Sequence, residues 1–252
     1  MTGALRFPGI TAVAVILATW VTATATGFVN SEYIPPPGEV LASGIEDWAN
    51  LGAATIESMW TALVGYAVGF GAAVVIGMAV GRYASVDSWL SGPLDFFRAI
   101  PAVAVVPMAL LILADSFLVG AFAVAWGCFF LAVINVISGV KHIPNTLQDA
   151  ARSFGAGEVK VLRKVGIPSL LPYFLSSLRQ NVSVALIVIV VADMVIGLSG
   201  LGFYILRTQS NALFGRMYAS IALIAVIGYV AFRLLEVTQR RLFPWWSETS
   251  VA

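Results

Sequence analysis

Six long apolar stretches constrain this chain more than any motif it carries. A helix needs about 20 mainly apolar residues to cross the hydrocarbon core of a bilayer. Residues 7–26, 59–80, 96–114, 117–137, 182–198 and 217–235 reach that length or come close to it. A soluble domain carries roughly 25% charged residues, whereas this chain has 11%, with 60% hydrophobic residues and a mean hydropathy of +0.93. So few charges cannot cover a water-facing surface. The expected fold is an all-α membrane protein of about six transmembrane helices, one domain over residues 1–252. Arg98 near the start of the third stretch and Arg233 near the end of the sixth sit where long side chains snorkel to the headgroups. Ala23-Thr24-Ala25 mimics a signal-peptide cleavage site. The apolar run before it exceeds the about 7–15 residues usual there, so retention as a span is the expectation.

The basic residues fix an expected orientation. Residues 27–58 hold Glu32, Glu39, Glu46, Asp47 and Glu57 but no lysine or arginine. Residues 138–181 hold Lys141, Arg152, Lys160, Arg163, Lys164 and Arg179. If the spans alternate, all of the 14 basic residues except Arg207 and Arg216 fall on one face. That face is the expected cytoplasmic side of a cell (inner or plasma) membrane protein, and both termini lie on it. The formal net charge of +1 points to no nucleic acid and no acidic partner.

Between the first two stretches, Pro35-Pro36-Pro37 forces an extended approach and Gly38 frees the turn. Val40, Leu41, Gly44, Ile45 and Trp48 then recur at helical spacing, as in a short helix lying on the outer membrane surface. In the second stretch Gly65/Gly69 and Gly77/Gly81 are each spaced G-x-x-x-G, which lets helices approach closely in lipid. Packing within the chain is preferred here to a seam between two copies.

Residues 141–172 form a loop too long for a connector. Thr146-x-x-Asp149 has the pattern of a capping box that starts a helix. Leu147, Ala150, Ala151 and Phe154 fall at i, i+3, i+4 and i+7 on one face. Gly155 suits a left-handed helix end. A second helix carries Val159, Leu162 and Val165 on one side and Lys160, Arg163 and Lys164 on another, and Pro168 and Pro172 re-aim the chain toward the membrane. Small residues at 150 and 151 suit a helix set deep in a partner's groove, but periodicity alone leaves packing on the chain's own spans equally open.

Asp149-Ala150-Ala151, then Gly155, then Val165-Gly166-Ile167-Pro168 meets throughout the spacing E-A-A-x3-G-x9-I-x-L-P, with Asp for Glu, Val for Ile and Ile for Leu. This resembles the signature of ABC-importer permeases of the binding-protein-dependent transport family. The resemblance implies that Leu147, Asp149, Ala150, Ala151, Phe154, Gly155, Val165, Ile167 and Pro168 belong to coupling helices that enter a cleft of a cytoplasmic ATPase. Further segments resemble the nitrate/sulfonate/taurine-type subfamily: residues 33–40, Arg98-Ala99-Ile100-Pro101 with Pro107, Asp193-Met194 with Gly197 and Ser199-Gly200-Leu201-Gly202, and Glu236, Arg240-Arg241-Leu242 and Trp245. Ala114-Asp115-Ser116 departs from the Phe-Gly turn common there.

The remaining residues are weighed singly. Asp193 is an ionisable group within a span, which is costly and usually faces the bundle interior or a water path. With Arg98, Pro101 and Pro107 it is a candidate for the translocation path or gate, the alternative being an ion pair or cap near the outer end of its span. Pro101 and Pro107 interrupt helical hydrogen bonding, as a hinge or a fixed kink. Gly197-Leu198-Ser199-Gly200 has the G-x-S-G form of intramembrane serine proteases, but the single histidine, His142, falls on the opposite side, so no general base meets Ser199. The glycines read instead as a turn back toward the membrane, with Leu201, Tyr204 and Ile205 on one face. Cys128 lies in an apolar run, and neither a catalytic group nor a metal site is expected.

No G-x-x-x-x-G-K-[ST] phosphate loop occurs in the sequence. ATP and Mg²⁺ are therefore expected on a separate ATPase subunit, with no cofactor in this chain. The resemblance further implies two permease copies, here a homodimer, and an extracytoplasmic solute-binding protein. Transport is expected by alternating access. The rival class, an ion-coupled secondary transporter, shows repeated halves and paired ionisable groups at mid-membrane, and neither pattern is visible here.

Overall fold

A computed structural model of the chain describes residues 8–143, 145–161 and 166–242, and among them every regular element is helical. In chain order these are α1 (Pro8–Ala25), α2 (Pro37–Glu46), α3 (Trp48–Arg82), α4 (Ala84–Arg98), a 3-10 turn (Ala102–Val105), α5 (Val106–Ile112), α6 (Ser116–Lys141), α7 (Asn145–Ser153), α8 (Glu158–Val161), α9 (Ile167–Ile196), α10 (Gly200–Ser210) and α11 (Phe214–Leu242). Four of them, α3, α6, α9 and α11, are apolar and long enough to cross a membrane. Over the described residues the six apolar stretches are helical except at their ends and at a break in the third, but α3 and α9 begin well before the stretches that announced them. The part of α3 before its stretch holds Ser58, and that of α9 holds Ser177 and Asn181, all buried. Their polar side chains lower a hydropathy average while bonding inside the fold, as Asn181 does by donating to the Ser177 carbonyl at 2.9 Å.

The third stretch departs from a simple span. Its helix breaks after Arg98, and the segments on either side, 84–98 and 102–112, are bent by 87°. Pro101 has no N–H to donate to Phe97, and the residue before a proline is kept out of the helical region. The last turn of α4 closes instead with shorter-range bonds, Ala99 N–H to Phe96 at 3.3 Å and Ile100 N–H to Phe97 at 3.1 Å. Pro107 does not contribute to the bend. It lies in the first turn of α5, where a missing N–H costs nothing.

Helix α6 is the axis of the bundle. Gly65, Gly69, Ala73, Gly77 and Gly81 form one i, i+4 stripe on α3. A Cβ added at Gly65 would stand 2.5 Å from the Ala121 carbonyl oxygen, at Gly77 2.9 Å from Val136 and at Gly81 2.6 Å from Val140. One added at Gly69 would strike the Ala125 backbone. These pairings ascend together, so α3 and α6 run parallel and in near-backbone contact. The small residues thus serve packing within the chain, as expected. On its other side α6 meets α9 antiparallel: Gly120 faces Ile189 and Gly139 faces Tyr173. Ala62, Val106, Val119, Val124, Cys128, Val188 and Ile189 close the core between α3, α5, α6 and α9.

Helix α2 opens with Pro37 in its first turn and runs only to Glu46; Trp48 already belongs to α3. Val40 is buried and Gly44 abuts Ala219 of α11, while Leu41 and Ile45 are exposed. Its apolar residues therefore divide between the bundle and an exposed face.

The topology sorts the charges. Arg82 and Lys141 end α3 and α6, Arg240 and Arg241 lie in the last turn of α11, and the α7–α8 loop leads into α9. All stand at one end of the bundle, where Lys141 Nζ pairs with Asp87 at 2.7 Å. The acidic residues Glu46, Asp47 and Glu57 gather at the other end, at the start of α3.

Candidate functional site

At the basic end, α7 turns the amphipathic pattern of the sequence into a helix that starts one residue ahead of Thr146. Thr146 thus sits inside the first turn and not before it. Asp149 accepts from Arg152 at 3.3 Å. Among the described residues α7 packs only lightly, and chiefly on α8. Asp149 and Ala150 are exposed, and Phe154, just past the helix end, is 91% exposed. Gly155 has φ +76°, the left-handed conformation expected of it. Pro168 lies in the first turn of α9, with Ile167 the first residue of that helix. The side chains of Leu147, Ala151 and Ile167, and Val165 altogether, lie outside the described residues.

The bend between α4 and α5 opens a second feature, a cavity of about 640 Å³. Arg98 and Pro101, both singled out in the sequence, line it together with Trp126, Phe130 and Asn135 of α6. Its depth follows from contacts. The Phe97 ring meets Trp126 edge-on at 5.9 Å, and a Cβ on Gly127 would stand 3.1 Å from Ala102. Residues 126 and 127 lie near the middle of α6, so the break sits about halfway along the span. Irregular backbone at such a depth is tolerated where it is buried in protein or lines a water-filled cavity. Arg98 therefore does not end at a headgroup. It pairs with Asp95 at 3.0 Å, and both side chains are about half exposed. Pro107 and Asp193 do not line this cavity.

Asp193 closes the other end of the bundle, in the last turn of α9. Gly197 at φ +70° and Gly200 at φ +86° reverse the chain into α10, and Leu201, Tyr204 and Ile205 are buried together, as their spacing implied. The Asp193 carboxylate faces the first turn of α10. Its Oδ2 accepts from Ser58 Oγ at 2.5 Å and from the Gly202 N–H at 3.4 Å, while Ser58 Oγ accepts from the Leu201 N–H at 2.7 Å. A side chain at Gly200 would occupy the carboxylate's own space. This is the geometry of a helix cap, the alternative role open to Asp193 from sequence. Ser199 Oγ donates to Glu57 at 2.5 Å. His142 interacts with the Ser138 carbonyl and the Tyr173 ring at the basic end, so the histidine does not reach Ser199.

One further cluster escaped the sequence reading. Asp47, between α2 and α3, accepts from the Tyr204 hydroxyl at 2.7 Å and lies 3.4 Å from Arg216 of α11. The Tyr204 hydrogen bond is the chief cause holding its carboxyl below the ordinary carboxylate range, with Asn50, Arg216 and Arg207 acting the same way against the effect of burial. The partners come from α10, α11 and α3, and only the fold brings them together.

Residues 69–244 match the family described as the binding-protein-dependent transport system inner membrane component. A putative ABC transporter permease protein of Methanocaldococcus jannaschii is 30% identical over 86% of this chain and 85% of its own length. The taurine transport system permease protein TauC of Escherichia coli is 28% identical over 93% of this chain and 88% of its own. The putative aliphatic sulfonates transport permease protein SsuC of Bacillus subtilis is 26% identical over 94% and 87%. Among solved structures, an inward-facing form of the MetNI methionine ABC transporter superposes with a TM-score of 0.62 at 20% identity, covering 78% of this chain and 96% of that one. An amino acid ABC transporter crystallised with histidines gives 0.62 at 19% identity, over 79% and 97%. These two likenesses concern the fold.

Proposed function

The chain belongs to the family of binding-protein-dependent transport system inner membrane components, the permeases of ABC importers, and from that premise we propose how its two ends and its cavity divide the work. The basic end faces the cytoplasm. There α7 enters a cleft of a separate ATPase dimer that carries ATP and Mg²⁺, with Leu147, Asp149, Ala150, Ala151, Phe154 and Gly155 at the contact and Val165, Ile167 and Pro168 anchoring the loop to α9. The observation carrying this reading is the exposure of Phe154 and of the Asp149–Ala150 turn on a helix that rests chiefly on α8.

The acidic end receives solute from an extracytoplasmic binding protein, and two copies of this chain enclose the path. ATP binding draws the ATPase subunits together, and α7 carries that motion into α9 through Pro168. The cavity opens outward to take the solute, and hydrolysis resets it inward. Arg98 and Pro101, at a break in mid-span, are the path residues with geometric support, since irregular backbone at that depth is tolerated where it lines a water-filled cavity. Pro107 starts the half-helix beyond the break, and Asp193 holds the outer end of α9 to α10 next to the path. Relatives bearing names as different as taurine, nitrate and bicarbonate transport proteins do not single out one solute.

The test is selective uncoupling. Ala151→Arg overfills the ATPase groove without touching the spans. It is expected to leave insertion and dimerisation intact while the ATPase no longer co-purifies and uptake is lost, whereas Lys160→Ala is mild. Co-purification of a transport-active ATPase with the Ala151→Arg protein overturns the coupling assignment.

A further inference from the structure

At the basic end, where α9 and α11 meet, arginines outnumber carboxylates. Glu236 of α11 accepts from Arg233 at 2.8 Å and from Arg240 at 2.7 Å. Arg179 of α9 reaches the same helix, its guanidinium 5.2 Å from the Phe232 ring centroid and hydrogen-bonded to the Gln239 carboxamide oxygen. Among the described residues its acceptor is therefore neutral, and its buried Nε–H has no partner. The charge of Arg179 acts on Glu236 from a distance. Three guanidiniums thus share one carboxylate, which leaves two positive charges over. The half-buried Arg179 stands behind, and the exposed pair Arg233 and Arg240 presents the surplus to the outside.

The depth of the cluster says which anion it meets. At about 1.5 Å per residue, Arg179 lies roughly 26 Å along α9 from Ile196, and Arg233 roughly 29 Å along α11 from Phe214. Ile196 and Phe214 stand at the opposite end of the bundle, and the hydrocarbon core is about 30 Å thick. The arginines therefore sit where the core gives way to headgroup phosphates. Arg233 Nε donates to the Tyr229 hydroxyl at 3.1 Å, an aromatic of the kind that gathers at that boundary. Tyr229, Val230 and Leu234 are exposed beside the cluster. Acyl chains gain contact on these surfaces, whereas a free phosphate gains none. Each guanidinium carries five N–H donors, so most remain open after Glu236 is satisfied. Because Arg233 and Arg240 converge on one carboxylate, a phosphate beside Glu236 meets both.

We infer that Arg233 and Arg240, backed by the charge of Arg179, bind the phosphate of an anionic phospholipid whose acyl chains lie along the exposed face of α11. Basic pockets between spans at the membrane boundary hold anionic headgroups in this way.

The experiment uses the permease–ATPase complex, stripped of lipid in detergent. It is titrated with phosphatidylglycerol or with phosphatidylcholine of the same acyl chains, and bound lipid is counted by native mass spectrometry. Phosphatidylglycerol is expected to bind more tightly. Arg233→Gln and Arg240→Gln are each expected to weaken its binding about fivefold, the worth of one basic residue at an anionic surface, and to leave phosphatidylcholine unchanged. Arg240 is 69% exposed, so its substitution does not threaten the fold. Lys160→Gln removes an exposed charge elsewhere at the same end and is expected to change neither lipid. Millimolar inorganic phosphate is expected not to compete.

Equal binding of the two lipids overturns the site. So does an equal loss in Lys160→Gln, because the attraction then belongs to the whole basic end. Displacement of phosphatidylglycerol by inorganic phosphate leaves an anion site and overturns the lipid assignment. Release of the ATPase from the Arg240→Gln complex, with lipid binding unchanged, gives the cluster to that subunit instead.

Discussion

Ser58 of α3 donates to the Asp193 carboxylate of α9 at 2.5 Å and accepts from the Leu201 N–H of α10 at 2.7 Å, so one buried hydroxyl joins three helices. Ser58→Ala removes a donor and an acceptor together. It leaves a buried carboxylate and a buried amide short of partners, each costing about 1–3 kcal/mol. The expected outcome is a drop in the thermal midpoint of the detergent-solubilised protein, with α10 made accessible to protease. Ser58→Thr, which keeps the hydroxyl, restores part of that loss. An unchanged midpoint in Ser58→Ala would show that the link contributes nothing to holding α10.

The glycine stripe of α3 makes a second prediction. Gly69→Val places branched carbons against the Ala125 backbone, where no rotamer change relieves the clash. Overpacking of this kind costs about 1–3 kcal/mol or more. Gly71, on the same helix with open space around its Cβ position, is the control. Folded yield by fluorescence-detected size-exclusion chromatography is expected to collapse for Gly69→Val and to hold for Gly71→Ala. Equal yields would contradict the α3–α6 contact.

The third prediction separates the two ends of the bundle. Glu46 and Arg152 are both exposed. Cysteines placed there are expected to react with a membrane-impermeant maleimide from opposite sides, Glu46→Cys in intact cells and Arg152→Cys only after the cells are opened. Labelling of both from outside would invert the assignment of the coupling loop.

Much of this molecule was legible in one dimension. Apolar runs announce spans because lipid leaves the chain few ways to satisfy its backbone, and basic residues mark one end. The spacing from Leu147 to Gly155 announced a short helix with a left-handed end, and the glycine spacing named a close helix contact. Positions that depend on distant partners were harder to read. Pro101 and Pro107 look alike in sequence, yet one breaks a span and the other begins a helix, a difference set by where α5 packs on α6. Asp193 drew attention as a charge in a span, but its cap requires Ser58, 135 residues away. The Asp47–Tyr204 bond spans 157 residues, and no local pattern marks it. Arg98 reads as a headgroup contact only if the third stretch is one continuous helix. The bend moves it to half depth, where its meaning changes.

The α3–α6 seam also limits how the protein can move. A register shift of α6 by one residue would carry the branched side chains of Val124, Val136 and Val140 off their glycine seats and onto neighbouring flesh of α3, so sliding is blocked. With two long helices fused by shape into a single beam, a displacement of either one carries the other with it.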